Sequence, residues 1–145
     1  IDPVRFIGNY SSGKMGYALA GELAFAGAKV TLVSGPVEIK NLNPAISVIA
    51  VESAKEMHET CIRLFPQTDG AVMCAAVADF TPVLVSDSKI KREKEDLVIQ
   101  LKPTSDIAAD LGLLKTDHQL LVGFALETGD EISNAFAKLK RKNLD

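Results

Sequence analysis

The chain has 145 residues, with 16 basic against 19 acidic side chains and a net charge of −3, which argues against a broadly basic nucleic-acid surface. Hydrophobic residues make up 47 % and charged residues 24 %, as in ordinary globular domains, and no apolar run reaches the ~18 residues of a membrane span. Two cysteines give neither a disulfide framework nor a metal-ligand spacing, so a reduced, cytoplasmic protein of one domain is expected.

Helical and strand-like patterns alternate along the chain. Apolar stripes and capping residues predict helices over 14–26, 53–65 and 105–114, and a last helix that begins at a capping box over 128–131. Short apolar runs bounded by Gly, Pro and Ser predict strands over 30–33, 46–51, 70–76, 97–101 and 119–124. Gly27 is expected to end the first helix, and Ser105 or Asp106 to begin the third.

This alternation predicts an α/β fold, a three-layer Rossmann-like domain with a mostly parallel sheet, in which ligands bind beyond the carboxyl ends of the strands. The polar, charge-rich stretch at about 80–96 is predicted to project as a flap. The chain opens with a loop that leads straight into a helix, and it stops where a further strand is expected. We therefore expect residues 1–145 to be one domain of a larger polypeptide, truncated at both ends.

Residues 8–15 nearly match the phosphate-loop pattern G-x-x-x-x-G-K-[ST], but a methionine stands where the magnesium-binding hydroxyl is needed. A turn rich in serine and glycine still presents free backbone N–H groups to an anion when it opens a helix. Three polar side chains crowd this turn: Arg5, Asn9 and Lys14. The alternative interpretation is an ordinary helix N-cap by Ser11 or Ser12.

Two strand ends carry candidate ligand-binding residues. After the strand at 70–76, small side chains would let a nucleotide approach the backbone, and Asp79 could meet a ribose hydroxyl, a base or a magnesium ion. After the last strand, Phe124 could pack against a base. The alternatives are small residues chosen for helix packing, with Asp79 as a turn residue, and core packing of Phe124.

Two pairs of lysines could bind a polyanion. Lys89 and Lys91 lie on one face of an extended segment and could close over phosphates, although a solvated charged edge is the more usual meaning of such a run. Lys138 and Lys142 are one helical turn apart, and their alternative role is to interact with the helix dipole. These candidates suit stabilisation of a polyphosphate by position and charge, and they do not suggest an activated protein nucleophile.

Several motifs in chain order together resemble phosphopantothenoylcysteine synthetase. They are DPVRFI, NYSSGKMGYALA, GAKVTLVSGPV, AAVADF, KIK, SDIA, GFALET and KLKRKNLD. More specifically, the chain is similar to the bacterial synthetase domain that is usually fused behind a flavin-dependent decarboxylase in the bifunctional coenzyme A biosynthesis protein. The resemblance covers essentially the whole chain.

The resemblance implies an amide-forming ligase. The carboxylate of 4′-phosphopantothenate would attack the α-phosphate of CTP and release pyrophosphate, and the amine of L-cysteine would then displace CMP from the acyl-cytidylate. It also implies Mg²⁺ dependence, a homodimer, and FMN only in a fused decarboxylase domain outside this sequence. Neither nucleic acid nor a membrane is expected as a partner.

Motif matching implies catalytic roles for Asn9, which would handle the acyl-cytidylate, for the flap lysine Lys89, and for the adjacent Arg5. Together with the anion-binding turn, the expected nucleotide-binding residues are Ser11, Ser12, Gly13, Met73, Cys74, Ala75, Asp79, Lys89, Ser105, Asp106, Ile107, Ala108, Phe124, Lys138 and Lys142. No metal ligand is assigned. The chain departs from the family pattern in three residues: Gly8 in place of Ser, Arg92 in place of Lys, and Leu126 in place of Ala.

Two other functional classes are kept as alternatives. A dinucleotide-binding oxidoreductase module that takes NADP would have a similar fold, but no G-x-G-x-x-G follows a strand in this sequence. A non-catalytic interaction domain would keep the fold without turnover, and retention of Asn9 and Lys89 argues against it.

Overall fold

A computed structural model describes residues 1–40, 43–92, 96–124 and 131–145, without the side chain of Glu131. The helices are α1 (Lys14–Phe25), α2 (Ala54–Leu64, followed by a 3-10 turn at Phe65–Gln67), α3 (Ile107–Leu114) and α4 (Glu131–Arg141). The strands are β1 (Val30–Ser34), β2 (Ile46–Ala50), β3 (Gly70–Met73), β4 (Phe80–Pro82), β5 (Leu101–Pro103) and β6 (Leu120–Gly123). None of the helices within these ranges has the length and hydrophobicity needed to cross a bilayer.

Parallel pairing dominates, which confirms the predicted α/β, Rossmann-like class. The described strands form three two-stranded sheets, in which β1 pairs with β2 and β3 with β6 in parallel, whereas β4 and β5 are antiparallel. At the start of β3, a Cβ on Gly70 would lie 2.5 Å from the carbonyl oxygen of Leu120. Glycine at this position is therefore what lets β3 and β6 approach each other.

One apolar core joins the helices to both parallel pairs. Leu111 of α3 and Leu121 of β6 are fully buried, and they pack with the buried residues Val51, Met57, Phe65 and Ile107. Val33 and Ile49 of the first pair and Ala71 and Met73 of the second pack against this cluster. The core lies below the ends of β3 and β6, so it fixes the position of the residues that follow these strands.

Two of the predicted helix starts are confirmed in detail. Ser53 accepts a hydrogen bond from the backbone N–H of Glu56 at 3.1 Å, and the Glu56 carboxylate accepts one from the N–H of Glu52 at 2.9 Å. Asp106 caps α3 by accepting from the N–H of Ala109 at 3.1 Å. Polar side chains thus satisfy backbone N–H groups that have no acceptor within their helix. The capping box predicted at 128–131 lies outside the described side chains.

The alternative prediction that Ser11 or Ser12 caps α1 is wrong. The N-cap is Gly13, which has a φ of 73° and makes no side-chain hydrogen bond. A Cβ at this position would lie 2.9 Å from Cγ1 of Val37, so both the left-handed backbone and the space available favour glycine. The turn before α1 therefore depends on its glycine for its shape.

Two predicted strands differ from the structure by more than one residue at an end. The strand predicted over 70–76 ends at Met73, where its pairing with β6 ends opposite Gly123. The carbonyl groups of residues 76–78 instead accept hydrogen bonds from the side chains of Asn9 and Thr104. The strand predicted over 97–101 is displaced to Leu101–Pro103, where it pairs with the start of the predicted flap. Residues 93–95 of the flap lie outside the described residues.

Candidate functional site

A cleft of about 940 Å³ opens at the carboxyl ends of β3 and β6. Its walls are the segment after β3, the segment that leads into α3, the residues that end β6 and one side of α4. It is lined by many of the predicted nucleotide-binding residues, namely Met73, Ala75, Asp79, Ser105, Asp106, Ile107, Ala108, Phe124, Lys138 and Lys142. Its volume is in the upper part of the range of ligand sites, about 300–1,000 Å³.

The wall after β3 is held by hydrogen bonds to its backbone. Thr104 donates from its hydroxyl to the carbonyl of Ala78 at 2.7 Å and from its N–H to the carbonyl of Asp79 at 2.9 Å. From the other side, Asn9 Nδ2 donates to the carbonyl of Val77 at 3.1 Å. The side chains that line this wall are small, so a ligand can approach the backbone closely.

The N-terminus of α3 forms a second wall, with Asp106 as its N-cap. Lys142 Nζ donates to a carboxylate oxygen of Asp106 at 2.9 Å. Burial alone would raise the pKa of Asp106, but the hydrogen bonds from Lys142 and the N–H of Ala109 outweigh it, with help from the positive charges of Lys142 and Arg141. The pKa of Asp106 therefore lies below its usual value. Free N–H groups at a helix start attract anions, and a lysine lies directly beside this one.

The end of α4 is locked against α3. A Cβ on Gly112 would lie only 1.9 Å from the carbonyl oxygen of Lys142, so the two backbones are in direct contact. Asn143, which has a φ of 52°, donates from Nδ2 to the carbonyl of Gly112 at 2.9 Å. This packing holds Lys142 at the cleft with its side chain only 20 % exposed.

Three aromatic side chains line the cleft, Phe80, Phe124 and Phe136, and each is at least half exposed. Exposed aromatic faces are suited to stacking on a nucleotide base, which contributes about 1–3 kcal/mol per base. Sequence reasoning identified Phe124 alone. The position of Phe80 after a strand end was a usable signal, whereas Phe136 lies on an amphipathic helix and resembles a core residue. The part of the predicted 123–128 motif after Phe124 lies outside the described residues.

Several predicted site residues lie outside the lining of the cleft. Ser11, Ser12 and Gly13 belong to the turn before α1, and Asn9 reaches the cleft wall only through its hydrogen bond. Cys74 is directed towards α1, since its Sγ would be 3.3 Å from a Cβ on Gly16, and burial raises the pKa of its thiol. The structure therefore gives Cys74 a packing position.

Arg5 and Lys89 are brought near one another, away from the cleft lining. Arg5 forms an ion pair with Asp2 and donates from Nη2 to the carbonyl of Ile90 at 2.7 Å. The hydrogen bond from Arg5 is the main reason why the pKa of Asp2 lies well below its usual range; burial opposes this shift, and backbone N–H groups add to it. Lys89, the neighbour of Ile90, is exposed. Sequence reasoning missed the contact between Asp2 and Ile90, because the two residues lie 88 positions apart.

The cleft has little capacity to hold a metal ion by itself. In the part of the chain that the structure describes, no group of three or more His, Cys, Asp or Glu side chains is arranged to bind one. Asp106 is paired with Lys142 and Asp145 with Lys115, which leaves Asp79 as the exposed lining carboxylate beside the small side chains that follow β3. This fits Mg²⁺, which proteins often bind through one or two carboxylates while substrate phosphates and water supply the other ligands.

Comparison with known proteins places the chain among proteins of one family. The family model described as DNA/pantothenate metabolism flavoprotein C-terminal domain matches residues 1–145. A cysteine/cysteine sulfinic acid decarboxylase from an unknown prokaryotic organism is 61 % identical over 145 residues, which are 100 % of this chain and 40 % of that protein. The coenzyme A biosynthesis bifunctional protein CoaBC of Bacillus subtilis (strain 168) is 46 % identical over 145 residues, which are 100 % of this chain and 36 % of that protein. The chain thus spans about two fifths of the length of these relatives.

Solved structures agree with this assignment. The crystal structure of the C-terminal domain of CoaBC has a TM-score of 0.85 and 44 % identity, over 99 % of this chain and 67 % of that one. A DNA/pantothenate metabolism flavoprotein from Streptococcus pneumoniae has a TM-score of 0.85 over 100 % of this chain and 74 % of that one; at 22 % identity it supports the fold alone. The resemblance to the synthetase domain of the bifunctional protein is confirmed. Because the family model matches every residue, the chain belongs to the DNA/pantothenate metabolism flavoprotein C-terminal domain family.

Proposed function

We propose that this chain is the domain of a phosphopantothenate–cysteine ligase that uses a nucleotide to activate the substrate carboxylate. The carboxylate oxygen of 4′-phosphopantothenate attacks the α-phosphorus of CTP, and the bond to pyrophosphate breaks. The amine nitrogen of L-cysteine then attacks the acyl carbon, loses a proton and displaces CMP, which leaves an amide. The main support for this proposal is the cleft at the ends of two parallel strands. It is lined by a segment of small side chains, by exposed aromatic rings, by the N-terminus of a helix and by lysines.

Each wall of the cleft offers a contact for one part of a ribonucleoside triphosphate. Phe124 offers a face for the base, and the small residues around Ala75 allow the ribose to approach the backbone. The N-terminus of α3, with Lys138 and Lys142, favours the phosphates. Asp79 would hold a magnesium ion that enters with the nucleotide, and that ion would neutralise phosphate charge. The choice of cytosine over another base rests on family resemblance.

The described residues that line the cleft include neither histidine nor cysteine, so they form no Ser–His or Cys–His pair. This fits a reaction in which the substrate carboxylate is itself the nucleophile. Catalysis then depends on orientation and on charge stabilisation of the α-phosphate. In this proposal Lys89 meets phosphates in the transition state, and Asn9 supports the step that consumes the acyl-cytidylate.

We also infer a homodimer. Residues on either side of β4 and β5 carry exposed apolar side chains, among them Val83, Leu84, Val85 and Val98. Monomeric proteins seldom expose such a group of neighbouring apolar residues, and a second copy of the chain would cover it. Sedimentation analysis of the intact protein, with Leu84→Glu as the variant, tests this: the variant is expected to be monomeric.

Nucleotide binding is tested by calorimetry of the protein with CTP, ATP, GTP and NADP in the presence of Mg²⁺. We expect binding of CTP and none of NADP; NADP binding without CTP binding would favour the oxidoreductase alternative. Lys142→Gln should weaken CTP binding by about tenfold to 100-fold, since a charged hydrogen bond is worth about 1.5–3 kcal/mol and each ~1.4 kcal/mol is a factor of ten. The matched control is Lys140→Gln, because Lys140 is exposed on the same helix and does not line the cleft.

A second candidate function follows from one relative. A protein that is 61 % identical to this chain over 145 residues is named for the decarboxylation of cysteine and cysteine sulfinic acid. The chain would then contribute to a protein that removes CO₂ from cysteine. Supplying the intact protein with cysteine, with and without CTP and 4′-phosphopantothenate, separates the two functions. CTP-dependent release of pyrophosphate supports the ligase, and CO₂ release from cysteine alone supports the decarboxylase.

A further inference from the structure

A buried carboxylate joins the N-terminal segment, residues 1–5, to the flap. Asp2 is 8 % exposed, and its Oδ2 accepts hydrogen bonds from Arg5 Nε at 3.0 Å and from the N–H of Ile90 at 3.1 Å. Arg5 Nη2 in turn donates to the carbonyl of Ile90 at 2.7 Å. Both backbone polar groups of Ile90 are therefore held by the same ion pair.

The N-terminal segment is itself well fixed. Oδ1 of Asp2 accepts from the N–H groups of Val4 and Arg5, each at 2.9 Å, and this closes a tight turn. A second attachment lies four residues before Ile90, where the N–H of Ser86 donates to the carbonyl of Ile1 at 3.0 Å. The described part of the flap is therefore tied to the N-terminal segment at two points.

The guanidinium of Arg5 is already engaged by a carboxylate and a carbonyl. Its charge is neutralised by Asp2, so it has less to offer a phosphate than a free cation would have. The residue that it holds, Ile90, lies between two exposed lysines, Lys89 and Lys91. Any effect of the Asp2–Arg5 pair on phosphate binding is therefore indirect, because the pair holds the backbone of Ile90, which lies between these lysines.

We propose that Asp2 is a positioning residue, which holds Arg5 against Ile90 and so fixes the backbone of Lys89 and Lys91 for contact with substrate phosphates. This inference rests on the proposed ligase function for its catalytic consequence. The attachment of the flap is independent of that function. It can therefore be tested separately.

The first test is limited trypsin digestion of the intact protein without nucleotide, because trypsin cleaves after lysine and arginine. In Asp2→Asn the carboxylate charge is lost, and cleavage within 89–92 should become about tenfold faster, since charged hydrogen bonds are about twice as strong as neutral ones. Arg5→Lys keeps the positive charge but loses the planar fork that bridges Asp2 and Ile90, so it should behave in the same way. The matched control is Asp87→Asn, because Asp87 is an exposed carboxylate in the same segment.

The second test separates positioning from a general loss of structure. We expect Asp2→Asn to lower kcat by about tenfold or more while the calorimetric Kd for CTP changes by less than about threefold. When it is added to a Lys89→Gln/Lys91→Gln double variant, Asp2→Asn should lower kcat by less than about twofold, because a positioning effect is lost once both lysines that it positions are gone.

Each outcome decides one question. If the wild-type protein releases no pyrophosphate with its substrates, the proposed function fails, and the trypsin comparison still decides whether Asp2 holds the flap. If ligation occurs and both Asp2→Asn and Arg5→Lys resemble Asp87→Asn in digestion and kcat, the positioning role is overturned. It is also overturned if Asp2→Asn lowers kcat as much in the Lys89→Gln/Lys91→Gln double variant as in the wild type, since independent effects would then explain both.

Discussion

Replacing Gly112 by alanine is expected to destabilise the protein, although alanine is the better residue inside a helix. The helix-propensity term favours alanine over glycine by about 1 kcal/mol. Against it, the new Cβ would lie 1.9 Å from the carbonyl oxygen of Lys142 and 2.8 Å from its carbonyl carbon. These are backbone atoms, which cannot rotate away, so α3 and the end of α4 must separate. Overpacking costs about 1–3 kcal/mol in milder cases, and we expect a net loss of about 1–2 kcal/mol or more.

The matched control for Gly112→Ala is Gly21→Ala in α1. A Cβ on Gly21 would have no other atom within 4 Å, so this variant should gain up to about 1 kcal/mol from helix propensity alone. Urea unfolding should therefore give a lower free energy of unfolding for Gly112→Ala than for the wild type, and a higher one for Gly21→Ala. Gly112→Ala should also weaken CTP binding, because separation of the helices moves Lys142 away from the cleft. A Gly112→Ala protein as stable as the wild type would refute this account of the contact.

Three further predictions concern the site. Lys89→Gln should lower kcat/KM by about 100-fold or more with little change in Tm, because the residue is exposed; a near-normal kcat/KM in steady-state assays would contradict its role. Asn9→Asp replaces the amide that donates to the carbonyl of Val77 by a carboxylate that cannot donate. Because Asn9 is proposed to support the second step, the acyl-cytidylate should still form but react slowly and accumulate in mass spectrometry; normal product formation without accumulation would count against this. Asp106→Asn keeps the N-cap but loses the ion pair with Lys142, which should cost about 0.5 kcal/mol or less at neutral pH. Because the folded-state pKa of Asp106 is lowered, this difference should be present above the usual pKa of aspartate and disappear as pH falls through the folded pKa; a constant difference in acid unfolding curves would contradict it.

The sequence predicted those helix ends that depend on contacts between residues only a few positions apart. The capping residues Ser53 and Asp106 were identified because a side-chain oxygen near a helix start can satisfy a backbone N–H only a few residues away. The same is true of Gly27, which follows the end of α1 with a φ of 94°. The family motifs added the positions of the expected nucleotide-binding residues, and many of these line one cleft in the structure.

Features that depend on distant partners were not visible in the sequence. After β3, the carbonyl groups of residues 76–78 accept hydrogen bonds from Asn9 and Thr104, and neither residue is close to them in the chain. The attachment of Ile90 to Asp2 is of the same kind. No periodicity or capping rule carries information about such contacts, because the fold alone brings the partners together.

The charge of the cleft explains why the flap matters to the proposed reaction. Among the described residues that line it, two lysines are set against three aspartates; Lys142 is already paired with Asp106, and Asp145 is paired with Lys115 outside the lining. A nucleoside triphosphate carries several negative charges, so this lining cannot balance it by itself. Additional cations must come from outside the lining, and a magnesium ion and the lysines that flank Ile90 are the candidates in this proposal. The Coulomb attraction between a lysine and a phosphate weakens with distance, so small displacements of these lysines should change the rate, while the apolar and backbone contacts that bind the nucleotide remain.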